Sequence, residues 1–359
     1  MSADPLSTLD RLDDAARAGR LDQALADLPA DVRDLARYAR VQAHRPLIIG
    51  HRGDPTTCVE NTLEGIASAF RQGADAVELD VILVRTDHGD GWELVARHDP
   101  VPGAVYATIR NLGLEPKVYT DDLFLARPTT PPLWRWSLRR PSHDLPLSTY
   151  REHYGYAEVK SWPMSSRRIA AHVPTIGEVG ALLARDWPDK VLFLDTKLPP
   201  DRPDLWAAMA GRIAELASVH RLEPRRIIVG SADATILGAL RDALGRAYRY
   251  THDEMLVGPF AKARHGYSAA SKAVAFDCDL GDVGHVFFGS DDELLEVVER
   301  DVPEMHRLGK QLIVWTINDE LVFRKLLGIG GRHGAGGIDF VITDRPAAFR
   351  ARLDRLTWL

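Results

Sequence analysis

Residues 76–98 read AVELDVILVRTDHGDGWELVARH, and the fold turns on how this stretch divides. Ala76–Val81 has the apolar pattern of a strand. Glu78 and Asp80 share one of its faces, because side chains alternate along a strand. From Asp80 to His98 is only 18 positions. A parallel crossover takes roughly a dozen residues or more, usually as a helix, and no helix fits here. Asp87-His88-Gly89-Asp90-Gly91 supplies turn residues midway, which predicts an antiparallel hairpin. The strand then runs past the rim of a larger sheet, turns at Gly89–Gly91 and returns, bringing His98 roughly opposite Glu78.

On either side of the hairpin, short apolar strands alternate with amphipathic helices. Strands are expected at Leu47–Gly50, Ala76–Val81, Val191–Thr196, Ile227–Gly230, Tyr248–Tyr250, Ala273–Phe276, Leu312–Thr316 and Phe340–Thr343. Helices are expected at Leu63–Arg71, Ile176–Arg185, Leu205–His220, Ala234–Leu244, Asp292–Leu308 and Glu320–Leu327. Eight strands in this alternation predict an α/β fold, a parallel sheet closed into a (β/α)8 TIM barrel with its active site at the C-terminal mouth. Val191-Leu192-Phe193-Leu194 and Ile227-Ile228-Val229 are continuous apolar runs, as strands covered on both faces should be. Gly103–Val173 is rich in Pro, Arg and Trp and too long for a plain connection, so a lid-like insertion over the mouth is expected. Residues 1–46 read as a helical extension braced on the barrel unit, 47–359. Leu6, Leu9, Leu12 and Ala16 share a face, Leu21, Leu25 and Leu28 continue it, and a third segment runs from Val32 to Ala43 after Pro29.

Composition narrows the function classes. With 359 residues and 45% apolar content the chain can bury a sizeable core. A net charge of −6 argues against a general nucleic-acid binder. Cys58 and Cys278 make neither a disulfide framework nor a zinc quartet. The N-terminus lacks a basic segment followed by an apolar run, and no stretch approaches the ~20 apolar residues of a membrane span. A cytoplasmic protein is the expectation.

The candidate chemistry sits at strand ends. His51, after the first strand, has a side chain that shuttles protons near neutral pH. Arg52 offers a planar fork to two phosphate oxygens, and Gly53 allows close backbone approach. Glu60-Asn61-Thr62 opens the first helix, where Asn61 or Thr62 suits a capping role. Burying Glu78 beside Asp80 would push one carboxyl up sharply. One divalent cation, Ca²⁺ or Mg²⁺, resolves that conflict, since both prefer oxygen ligands. In Asp195-Thr196-Lys197 the same spacing aims both charges at the mouth, Asp195 as a third metal carboxylate and Lys197 to neutralise phosphate. His98 pairs with His51, one protonating a leaving alkoxide while the other activates the nucleophile. Asp99 either orients an imidazole or binds its loop. Trp315 either walls a head-group pocket or packs in the core, and Asp344 and Arg345 read as rim structure. Together these groups suit cleavage of a phosphate diester.

The order His51-Arg52-Gly53, Glu60-Asn61-Thr62, Glu78-Leu79-Asp80, His98-Asp99, followed by Val314-Trp315-Thr316-Ile317-Asn318 and Ile342-Thr343-Asp344-Arg345-Pro346, resembles the glycerophosphodiester phosphodiesterase family from about Leu47 to Phe349. The resemblance implies metal-dependent hydrolysis of a small glycerophosphodiester to an alcohol and sn-glycerol 3-phosphate. It also implies a metal- or substrate-facing Glu60–Asn61 pair. A lysophospholipid is a second candidate substrate. The chain departs from the family at Asp195-Thr196-Lys197, where Glu-x-Lys is usual. Asp-x-Lys is similar to the sphingomyelinase D and phospholipase D barrels, which release cyclic phosphates but lack the full His-Arg-Gly and Glu-Asn-Thr pattern. A cyclising phospholipase D-like enzyme is therefore one alternative, and a non-catalytic phosphodiester-binding barrel another. The filled histidine and carboxylate positions argue against the latter. An amidohydrolase would need His-x-His on the first strand, which is absent. No Gly-x-Gly-x-x-Gly or Walker loop follows a strand, and the glycine-rich Gly328–Gly337 follows a helix, the wrong context for a nucleotide.

Overall fold

The structure, a computed structural model, describes residues 4–41, 44–89, 91–98, 145–154, 156–161, 165–170, 172–199, 202–253, 268–285, 288–333 and 336–356. Its strands are β1 (Leu47–His51), β2 (Ala76–Arg85), β3 (Trp92–Ala96), β4 (Tyr156–Ser161), β5 (Ser165–Ala170), β6 (Val191–Thr196), β7 (Ile227–Ser231), β8 (Arg249–His252), β9 (Leu280–Gly284), β10 (Gln311–Trp315) and β11 (Phe340–Thr343). Its α-helices are α1 (Pro5–Arg17), α2 (Leu21–Ala26), α3 (Leu63–Arg71), α4 (Leu147–Tyr154), α5 (Ile176–Asp186), α6 (Pro203–His220), α7 (Ala234–Leu244), α8 (Ala269–Ala275), α9 (Asp291–Arg307), α10 (Glu320–His333) and α11 (Pro346–Arg355). The strands β1, β2, β6, β7, β8, β9, β10 and β11 pair in parallel in that order, and β11 returns to β1. The predicted (β/α)8 barrel is closed.

Side-chain alternation builds the barrel's two faces. Ile49, Phe193, Ile228, Ile313 and Phe340 point inward and fill the interior as one buried cluster. The intervening residues, such as Ile48, Val77, Leu192 and Val229, point outward into a shell of helix side chains. Several helices begin where the sequence supplies an acceptor for their unpaired first amides. Thr62 caps α3, Thr175 and Glu178 form a reciprocal capping box on α5, and Asp233 caps α7.

The predicted hairpin is present. β2 overruns the barrel and pairs antiparallel with β3, from Val81 opposite Ala96 to Arg85 opposite Trp92. The turn closes with Thr86 N donating to Gly91 O at 3.1 Å. At the other end Arg97 N donates to Asp80 O at 2.8 Å, which delivers His98 to the mouth. The outer face of the hairpin, with Ile82, Val84 and Val95, packs on Leu145, Tyr150 and Val173. Most of the expected lid, residues 103–144, lies outside the described residues, as does Asp99. The described end of that segment contains α4 and the antiparallel pair β4–β5.

One expected strand is misplaced. Ala273–Phe276 is not a strand: Ala273–Ala275 ends helix α8, Phe276 caps it, and the strand is Leu280–Gly284. Alanine is a strong helix former, and Ser268 caps this segment through Ser271 N. Gly281, Asp282 and Gly284 disguise the true strand, because glycine and aspartate are depleted in strands. Gly281 is required by close approach: a Cβ there would sit 2.9 Å from Ala269 O and 3.0 Å from Met305 Cε.

In the amino-terminal segment α1 and α2 are followed by a 3-10 helix over Ala30–Tyr38. The segment is tied to α10 by Arg324, whose side chain is fully buried. Arg324 Nε and Nη2 donate to the two carboxylate oxygens of Asp13 at 3.0 and 2.5 Å, and Nη1 donates to Tyr38 O at 2.8 Å. Removing one member of a buried ion pair strands the other charge and costs about 3–5 kcal/mol. Asp13→Ala is accordingly expected to lower unfolding free energy by roughly 3 kcal/mol or more. Urea denaturation checks this, and a loss within about 0.5 kcal/mol would mean the pair adds no more than an ordinary surface contact.

Candidate active site

Most inward positions at the top of the barrel, though not Gly230 of β7 or Ile342 of β11, carry a functional group where the layer below is apolar. Following the alternation upward, β1 goes from Ile49 to His51, β2 from Ala76 to Glu78 and Asp80, and β6 from Phe193 to Asp195. His51, Glu78, Asp80, Phe193 and Asp195, with Arg52, His98, Lys197, Asp253, Asp282 and Trp315, line one cleft. Nearly all the side chains singled out from the sequence thus meet in one place.

The carboxylates form its centre. One oxygen from each of Glu78, Asp80 and Asp195 lies within 4.8 Å of the others, and all three residues are buried. Burial raises the Glu78 carboxyl well above its usual range, and the charges of Asp80 and Asp195 add to the effect. Burial pulls Asp80 the same way, but Arg52, His98, Lys197 and His51 outweigh it and hold that carboxyl well below the usual range. Lys197 salt-bridges Asp195 and lies 3.3 Å from Asp80 Oδ1. These carboxylates, and that of Asp253, hold its ammonium above its usual range despite burial. Even so, Asp195 Oδ1 is buried with no hydrogen-bond partner among the described residues. A hard divalent cation fits: the three residues offer only oxygens, their charges repel without it, and one oxygen already lacks a donor.

The loops after β1 are shaped around this trio. Arg52 and Asn61 both take left-handed backbone conformations, φ 55° and 57°, which non-glycine residues adopt at a cost. The first turns Arg52 N onto Glu78 Oε2 at 3.0 Å. The second places the Asn61 amide against Asp80, donating from Nδ2 to Oδ2 and accepting from the Asp80 N–H, both at 3.2 Å. Asn61 N also donates to Arg52 O at 2.9 Å, stitching the two loops together. The Arg52 guanidinium sits on Asp80 at 3.0 Å and on Glu60 at 3.2 Å. At Gly53 any Cβ would come within 2.7 Å of the Gly65 backbone. Glu60 therefore reaches the site through Arg52, Asn61 through Asp80, and Thr62 serves as the cap.

His51 has a support that the sequence reading assigned to the rim. Its Nδ1 lies 2.7 Å from Asp344 Oδ1, and Asn318 Nδ2 donates to Asp344 Oδ2 at 2.9 Å. Asn318 Oδ1 in turn accepts from Asp344 N at 2.8 Å. A carboxylate accepts, so the proton belongs on Nδ1 and the lone pair on Nε2, which lies 4.0 Å from Glu78 Oε2. Asp344 is a buried positioning group, which corrects the rim assignment. A carboxylate just past the last strand was the available signal, since its neighbour on β1 ends in histidine.

Also missed were Asp253, just past β8, and Asp282 on β9. Asp282 accepts from Lys272 Nζ at 3.0 Å and Thr251 Oγ1 at 3.1 Å. Among the described residues Asp253 Oδ1 is buried without a hydrogen-bond partner, and burial, with Asp195 and Asp282 beside it, raises its carboxyl well above the usual range. The misplaced strand hid Asp282. Trp315, half-buried, lines the cleft and also packs against the barrel's inward apolar cluster.

Comparison with known proteins agrees with the geometry. Residues 51–348 match the Glycerophosphoryl diester phosphodiesterase family. The chain is 24% identical over 318 residues to a glycerophosphodiester phosphodiesterase of Arabidopsis thaliana, covering 87% of this chain and 75% of that one. Among solved structures it is similar to a glycerophosphodiester phosphodiesterase from Thermotoga maritima, with 19% identity, TM-score 0.51, and 86% of this chain and 99% of that one covered. It is similar also to an Oleispira antarctica phosphodiesterase in complex with the product sn-glycerol-3-phosphate, with 18% identity, TM-score 0.51, and 86% and 97% of the chains covered. At these identities the solved structures speak for the fold, and the family match, spanning most of the length, speaks for the lineage. The chain belongs to the glycerophosphoryl diester phosphodiesterase family of enzymes.

Proposed function

We propose that this chain hydrolyses small glycerophosphodiesters to an alcohol and sn-glycerol 3-phosphate, with Glu78, Asp80 and Asp195 holding one Ca²⁺ or Mg²⁺ ion. The observation that carries the reading is the buried trio, with its undonated Asp195 oxygen, facing a histidine already oriented by Asp344. The Oleispira relative's product complex supports the choice of glycerol phosphate as the product half. Bound there, the cation would supply positive charge to the phosphate and acidify the attacking water.

The chain's own groups do the rest. Lys197 and Arg52 face the same oxygens and balance charge that builds on them at the transition state. His51 Nε2 takes a proton from the attacking water, and the imidazolium so formed is stabilised by Asp344 at Nδ1. His98, arriving from the hairpin on another side of the cleft, gives a proton to the departing alkoxide. Trp315 packs on the carbon skeleton beside the phosphate. We take residues 47–359 as the unit that carries this chemistry and 1–46 as its helical brace.

Asp195-Thr196-Lys197 keeps a cyclising variant of the reaction in view, in which a substrate hydroxyl attacks phosphorus. Phosphorus NMR of the purified chain with glycerophosphocholine, glycerophosphoethanolamine and lysophosphatidylcholine decides among these outcomes. Hydrolysis predicts the glycerol 3-phosphate resonance from the first two diesters. A cyclic phosphate accumulating from the lysolipid would favour the phospholipase D-like reading, and unchanged spectra would favour a binding barrel.

A further inference from the structure

We propose that the β8–β9 wall of the cleft is a subsite for a primary ammonium group on the alcohol half of the diester, with Asp253 as its acceptor; this rests on the phosphodiesterase reading above. Five carboxylates and two fixed cations line the cleft. Three of those carboxylates form the candidate metal trio, and Asp282 is paired with Lys272 and Thr251. Asp253 is the one left over. Its backbone is held, N to Ser231 O at 3.1 Å, while its Oδ1 is buried without a donor among the described residues. An acceptor kept from water and unpaired costs free energy that a ligand's donor recovers.

Placement makes that donor part of the substrate. Asp195 pairs across β7 with Gly230, and Gly230 with Thr251. Asp253 therefore stands two strands round from the trio and one inward step above Thr251. Trp315 lies two strands beyond, on β10. A phosphate at the trio would extend one substituent along this wall. The buried carboxylate oxygen suits an N–H or O–H donor, and the carboxylate excess favours one that is positively charged. A primary ammonium meets both requirements, whereas a quaternary ammonium has no proton to donate and a hydroxyl has no charge.

The test compares kcat/KM for glycerophosphoethanolamine, glycerophosphocholine and glycerophosphoglycerol in the unaltered chain, Asp253→Asn and Asp253→Glu. A charge-assisted hydrogen bond predicts a preference of about tenfold or more for the ethanolamine ester over the glycerol ester. That ratio should collapse toward one in Asp253→Asn and partly return in Asp253→Glu. An equal fall for all three esters with the ratio intact would assign Asp253 a structural role and overturn the proposal. Calorimetry on the unaltered chain is independent of how the variants fold: O-phosphoethanolamine must bind more tightly than ethylene glycol monophosphate, and equal affinities overturn the subsite. Turnover of every ester without preference defeats the subsite alone. Neither turnover nor binding of any ester defeats the phosphodiesterase reading and the subsite with it.

Discussion

Glu78→Gln is expected to lower kcat/KM by about 10³-fold or more, since a Lewis-acidic cation supplies several kcal/mol at the transition state and each ~1.4 kcal/mol is a factor of ten. The variant should nonetheless fold. Glu78 is buried against two other carboxylates, so a neutral amide of the same shape removes repulsion from the cation-free chain. Melting temperature in EDTA should therefore hold or rise, while the stabilisation gained on adding Ca²⁺ or Mg²⁺ should shrink. Exhaustive chelation should abolish turnover in the unaltered chain and readdition restore it. Full activity after chelation would remove the metal from the mechanism.

The second large effect concerns the histidines. General acid–base catalysis contributes ~10²–10⁴-fold per group, and His51→Ala and His98→Ala should each lose about that much with secondary structure intact. If one removes a proton while the other delivers one in the same turnover, the double variant should fall far short of the product of the two losses. A nearly normal rate for His98→Ala would mean that the hairpin delivers a bystander.

Much of this was legible in residue order because the barrel converts sequence into geometry with few free parameters. Glu78 and Asp80 on one strand, or Asp195 and Lys197 at another's end, must face the mouth once the fold is known. The short spacing from Asp80 to His98 and the Asp-Gly turn between them likewise placed the β2–β3 hairpin. What escaped depended on tertiary contacts with no local signature. Asp282 sits in a strand that glycines disguise, and those glycines answer to Ala269 and Met305. Asp344 acquires its role only because barrel closure sets β11 beside β1, 293 positions away in the chain. Asp253 follows a four-residue strand whose partner across the sheet was the misplaced one.

The β2–β3 hairpin also bears on how this lineage can vary. Arg85 N donates to Leu145 O at 2.8 Å, and Ala96 N donates to Pro174 O at 3.0 Å. The chain that leaves after His98 is thus fastened again at Leu145, and the approach to α5 is fastened at Pro174, both on backbone that the barrel holds rigid. Between fixed anchors, doubling a loop's length adds only about 0.6 kcal/mol of closure entropy. The hairpin works as a docking frame: intervening sequence can be lengthened, shortened or exchanged between relatives with little thermodynamic penalty, and the histidine beside it keeps its register.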